Sequence, residues 1–210
     1  KGPKGHKDAR PTVKLIGGRG VDMDNFDVQY GRDKGLHVIN TPAASSQSVA
    51  ELAMGSLFSM ARFTYDGYRN MPAKGENEFK TLKKSYSKGT ELRGKTIAII
   101  GFGGIGQALA KYAIGCGMSV IYNTRGEKDT STLPLNIAGN IVEITLNRSS
   151  FDDCISKADY ISLHVPKQQD GSAVIGADEL AKMKKGVCLI NTSRGGTIDE
   201  DALLALSLIH

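Results

Sequence analysis

The stretch Lys95-Thr-Ile-Ala-Ile-Ile-Gly101-Phe-Gly103-Gly104-Ile-Gly106-Gln107 constrains the fold more than any other part of the chain. A short isoleucine-rich run ends in glycines, and a helical pattern begins at once, with Ile105, Ala108, Leu109, Tyr112 and Ala113 on one face. Strand, tight turn and helix start in this order are the signature of a dinucleotide-binding βαβ unit. Gly101 permits the turn. Gly103 has no side chain to hold a pyrophosphate away from the backbone, and Gly106 lets the helix pack closely on the strand. The N–H groups and positive dipole end of the helix then face the phosphates. Gly101, Gly103, Gly104, Ile105 and Gly106 are therefore expected to bind the cofactor.

The same fingerprint places an acidic residue about 20 positions further on, at the end of the next strand, to bind ribose hydroxyls. That place holds Asn123-Thr124-Arg125. Without the carboxylate a 2′-phosphate meets no repulsion, and an arginine can pair with it. The chemistry leans slightly to NADP over NAD. The other reading, with Arg125 as an exposed loop residue and Asn123 still bonding the ribose, stays open.

Further strands read at 118–122, 140–146, 160–164 and 187–191, and helices at 178–185 and from Asp199, with Ser150 to Asp153 spaced as a capping box. Residues 124–140 read as polar and turn-rich. Strands alternating with helices imply an α/β, doubly wound parallel sheet, in which ligands bind beyond the carboxyl ends of the strands. Those ends carry Gly101–Gly106, Asn123–Arg125, His164–Pro166 and Thr192–Arg194.

Ahead of this domain, residues 13–17 and 36–40 read as two short strands with a helix between them, the tail of a small α/β unit. Ser48 to Glu51 has capping-box spacing and opens a helix expected to run to about Tyr68. Residues 71–94, polar and basic with Pro72 and Gly75, read as a loop with at most a short helix. The domain boundary is placed near residue 45, giving units 1–45 and 46–210.

The charge of +5 is spread over the chain. No aromatic-and-basic module accompanies it, so nucleic-acid binding is not expected. Cys116, Cys154 and Cys188 are odd in number and widely spaced, as in free buried thiols of a reducing compartment. His164 and these cysteines lack metal-ligand spacing, and no metal is expected. No apolar run reaches spanning length and no signal peptide is visible, so no membrane partner and a cytoplasmic location are expected. The chain opens at Lys1 and stops at His210 straight after a helical pattern. Both ends read as cut, and an internal piece of a longer protein is expected.

Several motifs in one order resemble the D-isomer-specific 2-hydroxyacid dehydrogenases, most of all the D-3-phosphoglycerate type. They are Val21-Asp-Met-Asp-Asn25, Val38-Ile-Asn-Thr-Pro42, Ser48-Val-Ala-Glu-Leu52, the glycine loop, Asp159-Tyr-Ile-Ser-Leu-His-Val-Pro166, Asn191-Thr-Ser-Arg-Gly-Gly196 and Ile198-Asp-Glu200. The resemblance implies a Rossmann domain flanked by a flavodoxin-like substrate domain, here partial, and usually a homodimer or larger oligomer. It implies NAD(P)-dependent oxidation of a 2-hydroxy acid or reduction of a 2-keto acid.

By the same resemblance Arg194 is the catalytic arginine, while the partner glutamate and histidine belong to a segment after residue 210. It implies that His164, Val165, Pro166, Thr192 and Ser193 line the cofactor, and that Gly20, Val21 and Ser45 face the substrate. This chain departs from the family pattern at Asp22, Ser45 and Gly104. A phosphoglycerate dehydrogenase of serine biosynthesis is the leading reading. An NADP-dependent glyoxylate or hydroxypyruvate reductase is the second, and a non-catalytic dinucleotide-binding module the third. The 210 residues alone are expected to bind cofactor without turnover.

Overall fold

In the computed structural model, residues 12–18, 23, 26–41, 43–126 and 129–207 are described. The chain divides into two compact units, Lys1–Ser48 and Val49–His210. In the first, strands β1 (Leu15–Gly18) and β2 (His37–Asn40) pair in parallel, Leu15 opposite His37, with helix α1 (Val28–Asp33) between them in sequence. Asp27 caps α1, its Oδ1 accepting the Tyr30 N–H at 2.9 Å. A Cβ on Gly31 would stand 2.7 Å from Val38 Cγ2, so a larger residue there would make Val38 or the helix shift.

Helix α2 (Ser46–Arg62) starts two residues before the expected cap. Ser48 therefore lies inside its first turn, where its Oγ donates to the Ser45 carbonyl at 3.0 Å. Glu51 does not reach back either; its carboxylate accepts from the Tyr112 hydroxyl at 3.0 Å. The expected capping box is thus not formed.

The expected run of α2 to Tyr68 also fails, because Phe63 takes a left-handed conformation (φ 54, ψ 34) and ends the helix. The expected loop over 71–94 is mostly helix instead: α3 spans Thr64–Tyr86, through Pro72 and Gly75. Its Glu, Lys and Leu residues are straight-chain helix formers and outweigh the single lost N–H of Pro72. Glu78 leaves helical geometry (φ −116, ψ 16). The Tyr86 hydroxyl donates to the Asp66 carbonyl at 3.1 Å and accepts from Asn70 Nδ2 at 2.8 Å. A straight helix would hold Asp66 and Tyr86 about 30 Å apart. The segment is therefore folded back on itself at Glu78, with Asn70 and Tyr86 equidistant from the bend in sequence.

The second unit is built on strands β3 (Thr96–Ile100), β4 (Ser119–Asn123), β7 (Tyr160–Leu163) and β8 (Cys188–Asn191). They lie in the order β4-β3-β7-β8, all parallel, with Ile97 opposite both Val120 and Tyr160. This is the α/β Rossmann-type fold the glycine stretch implies. Helices α4 (Gly104–Gly115), α5 (Phe151–Lys157), α6 (Ala177–Lys182) and α7 (Glu200–Ser207) connect and cover it.

The sheet separates two apolar cores. Ile97 and Ile99 pack with Leu57, Leu109 and Tyr122 on one side, and Ala98 and Ile100 pack with Ile155, Ile161 and Leu163 on the other. Burial on both faces is why β3 reads as an unbroken apolar run. Ser150 caps α5, as its spacing implies, accepting the Asp153 N–H at 3.0 Å.

One departure lies between β4 and α5. Strands β5 (Thr130–Ile137) and β6 (Asn140–Asn147) form an antiparallel hairpin, so half of the stretch expected to be turns is strand, and the expected strand at 140–146 pairs outside the parallel sheet. Ala138 (φ 50) and Gly139 (φ 87) both take positive φ, the two-residue turn that suits the twist of a hairpin. Leu133 anchors the hairpin in the core at 1% exposure. Pro134 hides this strand in the sequence, yet β5 has a single neighbour and can spare one N–H.

Candidate cofactor site

At the carboxyl end of β3 the backbone passes close to the loop after β7. Gly101 has φ +96, and a Cβ there would collide with the His164 carbonyl oxygen. Its N–H donates to the Asn123 carbonyl at 2.9 Å, tying the turn to β4. Phe102 stacks on Tyr122, ring centroids 3.9 Å apart. Gly103 is extended and would meet nothing with a Cβ, so the space over it is open. A Cβ on Gly106 would collide with the Gly101 carbonyl oxygen and stand 3.0 Å from Ile99 Cγ2. The three glycines thus answer three separate demands: a left-handed turn, open space above the loop, and helix on strand.

A cleft of about 350 Å³ opens here beyond the ends of β3, β4 and β7. Gly101, Gly103, Asn123, Thr124, Arg125, His164, Val165 and Pro166 line it together. Gly104, Ile105 and Gly106 form the first turn of α4 beside it, where the amide N–H groups have no intrahelical acceptor. Open space over Gly103 and a helix N-terminus at the wall fit a pyrophosphate. Phe102, Phe151 and Val174 also line the cleft. The sequence reading missed these apolar walls, which carry no signal beyond being apolar. Asn123 holds no carboxylate, and its Nδ2 donates to the Ser149 carbonyl at 2.9 Å.

His164 is held from both sides. Its Nε2 lies 2.9 Å from Ser162 Oγ and its Nδ1 3.3 Å from Thr192 Oγ1. Burial drives its pKa down from 6.5 to about 4, so the ring is neutral at neutral pH. The unfolded chain takes up the proton first. Stability is therefore complete above pH 6.5 and is lost as pH falls from 6.5 toward 4. Urea titrations should show a loss of about 2 kcal/mol between about pH 7 and about pH 5. The variant His164→Asn should flatten that limb.

The loop after β8 carries Thr192, Ser193 and Arg194. They line a second cleft, of about 610 Å³, and not the first. The loop is clamped from within. Asn191 Nδ2 donates to the Arg194 carbonyl at 3.1 Å and to Thr197 Oγ1 at 2.8 Å. Thr197, fully buried, donates to the same carbonyl at 2.7 Å. Asn191 Oδ1 accepts the Ser193 N–H at 3.0 Å and its Oγ at 2.7 Å. Arg194 Nη1 donates to the Ser193 carbonyl at 2.7 Å. The His164–Thr192 contact joins this loop to the first cleft, as does the Val174 N–H, which donates to the Thr197 carbonyl at 2.8 Å. Sequence gives Asn191 only as the first residue of a motif, and Thr197 not at all, because their hydrogen bonding to the loop has no local signal.

Ser45 lies in the turn before α2, in the first unit. Gly20 and Val21 lie outside the described residues. Of the cysteines only Cys154 is buried, its thiol pushed up to about 12 by desolvation; Cys116 and Cys188 are partly exposed, contrary to the expectation for all three. Among the described residues no group of His, Cys, Asp and Glu is placed to hold a metal ion, and no helix is long and apolar enough to cross a membrane.

Comparison with known proteins bears on this arrangement. Residues 54–207 match the family described as D-isomer specific 2-hydroxyacid dehydrogenase, NAD binding domain. The chain is 41% identical over 196 residues to the hydroxypyruvate reductase of Thermotoga maritima, covering 93% of this chain and 58% of that protein. It is 38% identical over 198 residues to D-3-phosphoglycerate dehydrogenase 2, chloroplastic, of Arabidopsis thaliana, covering 93% of this chain and 29% of the other. Among solved structures, the TT0316 protein from Thermus thermophilus aligns with a TM-score of 0.78 at 29% identity, over 94% of this chain and 58% of that one. The chain thus spans 58% of the Thermotoga protein and 29% of the plant enzyme.

Proposed function

The chain belongs to the D-isomer specific 2-hydroxyacid dehydrogenase family, and from that membership we propose that its intact protein interconverts a small D-2-hydroxy acid and its 2-keto acid with NAD(P). The observation that carries the proposal is the contact between His164 and Thr192, which couples the cleft of the glycine loop to the clamped loop of Arg194. In this reading Gly101, Gly103 and the first turn of α4 hold the pyrophosphate, and Asn123, Thr124 and Arg125 meet the adenosine ribose. Val165 and Pro166 wall the cleft on the side of β7. When bound, the nicotinamide supplies or accepts the hydride.

Arg194 holds the substrate carboxylate in a planar fork, which fixes the orientation of the reacting carbon and polarises the keto oxygen. The clamp from Asn191 and Thr197 fixes the loop before substrate arrives, so little ordering is left for the reaction itself. His164 is not the proton donor: a buried imidazole with a pKa of about 4 stays unprotonated at neutral pH. Among the described residues no carboxylate lines that cleft, so we assign the general acid and base elsewhere, and the 210 residues alone should bind cofactor without turnover.

Reduction of hydroxypyruvate or glyoxylate is the reading favoured by the missing carboxylate at Asn123 and by Arg125 in the cleft, both suited to NADPH. Oxidation of D-3-phosphoglycerate is favoured by the similarity to the plant enzyme of that name. Assaying the full-length protein with hydroxypyruvate, glyoxylate and 3-phosphoglycerate, each with both cofactors, separates the two. No turnover of any of them would leave a dinucleotide-binding module as the reading.

A further inference from the structure

A further cleft, of about 210 Å³, lies at the amino ends of the strands, at the opposite end of the sheet from the glycine loop. Lys95 leads into β3, Asp159 and Tyr160 stand at the start of β7, and Lys184 and Lys185 precede β8; Thr90 and the last turn of α2 close the cleft. Three ammonium groups thus share it with one carboxylate, and that carboxylate is already engaged. Asp159 Oδ1 accepts from Lys184 Nζ at 3.1 Å, and Oδ2 accepts the Thr96 N–H at 2.8 Å. Burial would raise the Asp159 carboxyl, but the Thr96 N–H, the Lys184 bond and the charges of Lys184 and Lys95 hold it below the ordinary carboxylate range. Asp159 therefore answers Lys184, and no other carboxylate lines the cleft to answer Lys95 and Lys185. Next to the lining in sequence stand Arg62 and Glu91, one charge of each sign, so an excess of positive charge remains. The Tyr160 hydroxyl is a second, independent sign of a ligand. Tyr160 is 4% exposed, and among the described residues its hydroxyl meets Thr90 Oγ1 alone, at 3.4 Å. An O–H···O bond normally closes to about 2.7–2.8 Å. Two hydroxyls at the cleft thus keep most of their bonding capacity unused.

We propose that this cleft is a second ligand site, which takes a small phosphate dianion, free or as a monoester, on Lys95 and Lys185, with the Tyr160 and Thr90 hydroxyls donating to its oxygens. Like charges gathered in one cleft repel each other, and a dianion removes that repulsion where a monoanion leaves one charge over. Ammonium groups carry rotatable donors and suit a phosphate approached from several sides, with no need of a planar fork. The volume suits a phosphate or a small monoester and not a dinucleotide, so this site does not duplicate the glycine-loop cleft. Its ligand joins the starts of β3, β7 and β8. The far ends of the same strands carry the glycine-loop cleft and the Arg194 loop, so binding here stabilises the sheet on which both rest.

The test is a phosphorus NMR titration of the chain itself with inorganic phosphate and with glycerol 3-phosphate, at constant ionic strength, without NADH and then with NADH to fill the glycine-loop cleft, which also suits a phosphate. Dissociation constants on the order of millimolar are expected, and binding should persist with NADH present. The double variant Lys95→Gln with Lys185→Gln should bind at least about tenfold more weakly, and Tyr160→Phe about threefold more weakly. Arg62→Gln, outside the cleft, should change binding less than about twofold. Binding of the free ion alone makes inorganic phosphate the ligand, and tighter binding of glycerol 3-phosphate makes it a monoester; both keep the site. No binding of either, binding unchanged in the double variant, an equal loss in Arg62→Gln, or binding abolished by NADH would each overturn the proposal. If NADH itself does not bind, the cofactor reading fails and the lysine variants still locate the phosphate. If the double variant does not fold, the exposed Lys185→Gln decides alone, with an expected loss of about threefold or more.

Discussion

Gly101→Ala abolishes measurable NAD(P)H binding and lowers the unfolding free energy by about 2–5 kcal/mol in a urea titration. Two penalties add at this one position. The backbone stands at φ +96, where an L side chain is strained, and the new methyl would occupy the space of the His164 carbonyl oxygen. That oxygen belongs to the backbone and cannot swing aside. Relief requires β3 and the residues after β7 to part, which opens the floor of the cleft. Gly103→Ala is the informative control: its Cβ would meet no protein atom, so the fold should keep its stability while nucleotide affinity falls. A Gly101→Ala protein of unchanged stability would contradict the close approach described here.

Arg194→Gln in the full-length protein lowers kcat/KM for the 2-keto acid by about 10³-fold, with the cofactor dissociation constant changed by less than about threefold. The separation of effects follows from the two clefts. Arg194 lines the one beyond β8, and the glycine loop lines the other. Glutamine keeps a donor but loses the charge and the fork. Arg194→Lys keeps the charge and should still lose most of the rate, because a point charge does not orient a carboxylate. A truncation of the clamp, Thr197→Val, should show a milder version of the same pattern, since the buried hydroxyl holds the Arg194 carbonyl at 2.7 Å. If Arg194→Gln changes only cofactor affinity, its assignment to the substrate fails.

The inner strands of the central sheet were legible because they are buried on both faces, so that Ile97–Ile100 spells itself out as an apolar run and Tyr160–Leu163 nearly does, with Ser162 its one polar member. The glycine loop was legible because backbone geometry there excludes other residues. What the sequence concealed has a common cause: long-range contacts decided it. Nothing local announces that the Tyr86 hydroxyl will bind the Asp66 carbonyl and fold α3 over itself, and Pro72 and Gly75 argue locally for a loop. Pro134 likewise disguises β5, whose alternating Leu133, Leu135 and Ile137 become a strand only when β6 returns beside them. In the site, single residues at strand ends were readable, whereas the Asn191–Thr197 clamp is a relation between residues and has no signature of its own.

The sheet order has a consequence for the lifetime of the protein. The cleft proposed for the nucleotide draws on loops after β3, β4 and β7, and β3 lies between partners that are distant along the chain. No part of the sequence can grip the nucleotide until these strands have closed on each other, so ligand binds the completed sheet and not its precursors. Free nucleotide at about 100 times its dissociation constant then adds about 2.7 kcal/mol to the folded state. Where proteolysis proceeds through global opening, that corresponds to about a hundredfold fewer openings at any moment. The rate at which a protease consumes this protein should therefore follow the size of the nucleotide pool, making its abundance a slow record of the redox cofactor supply.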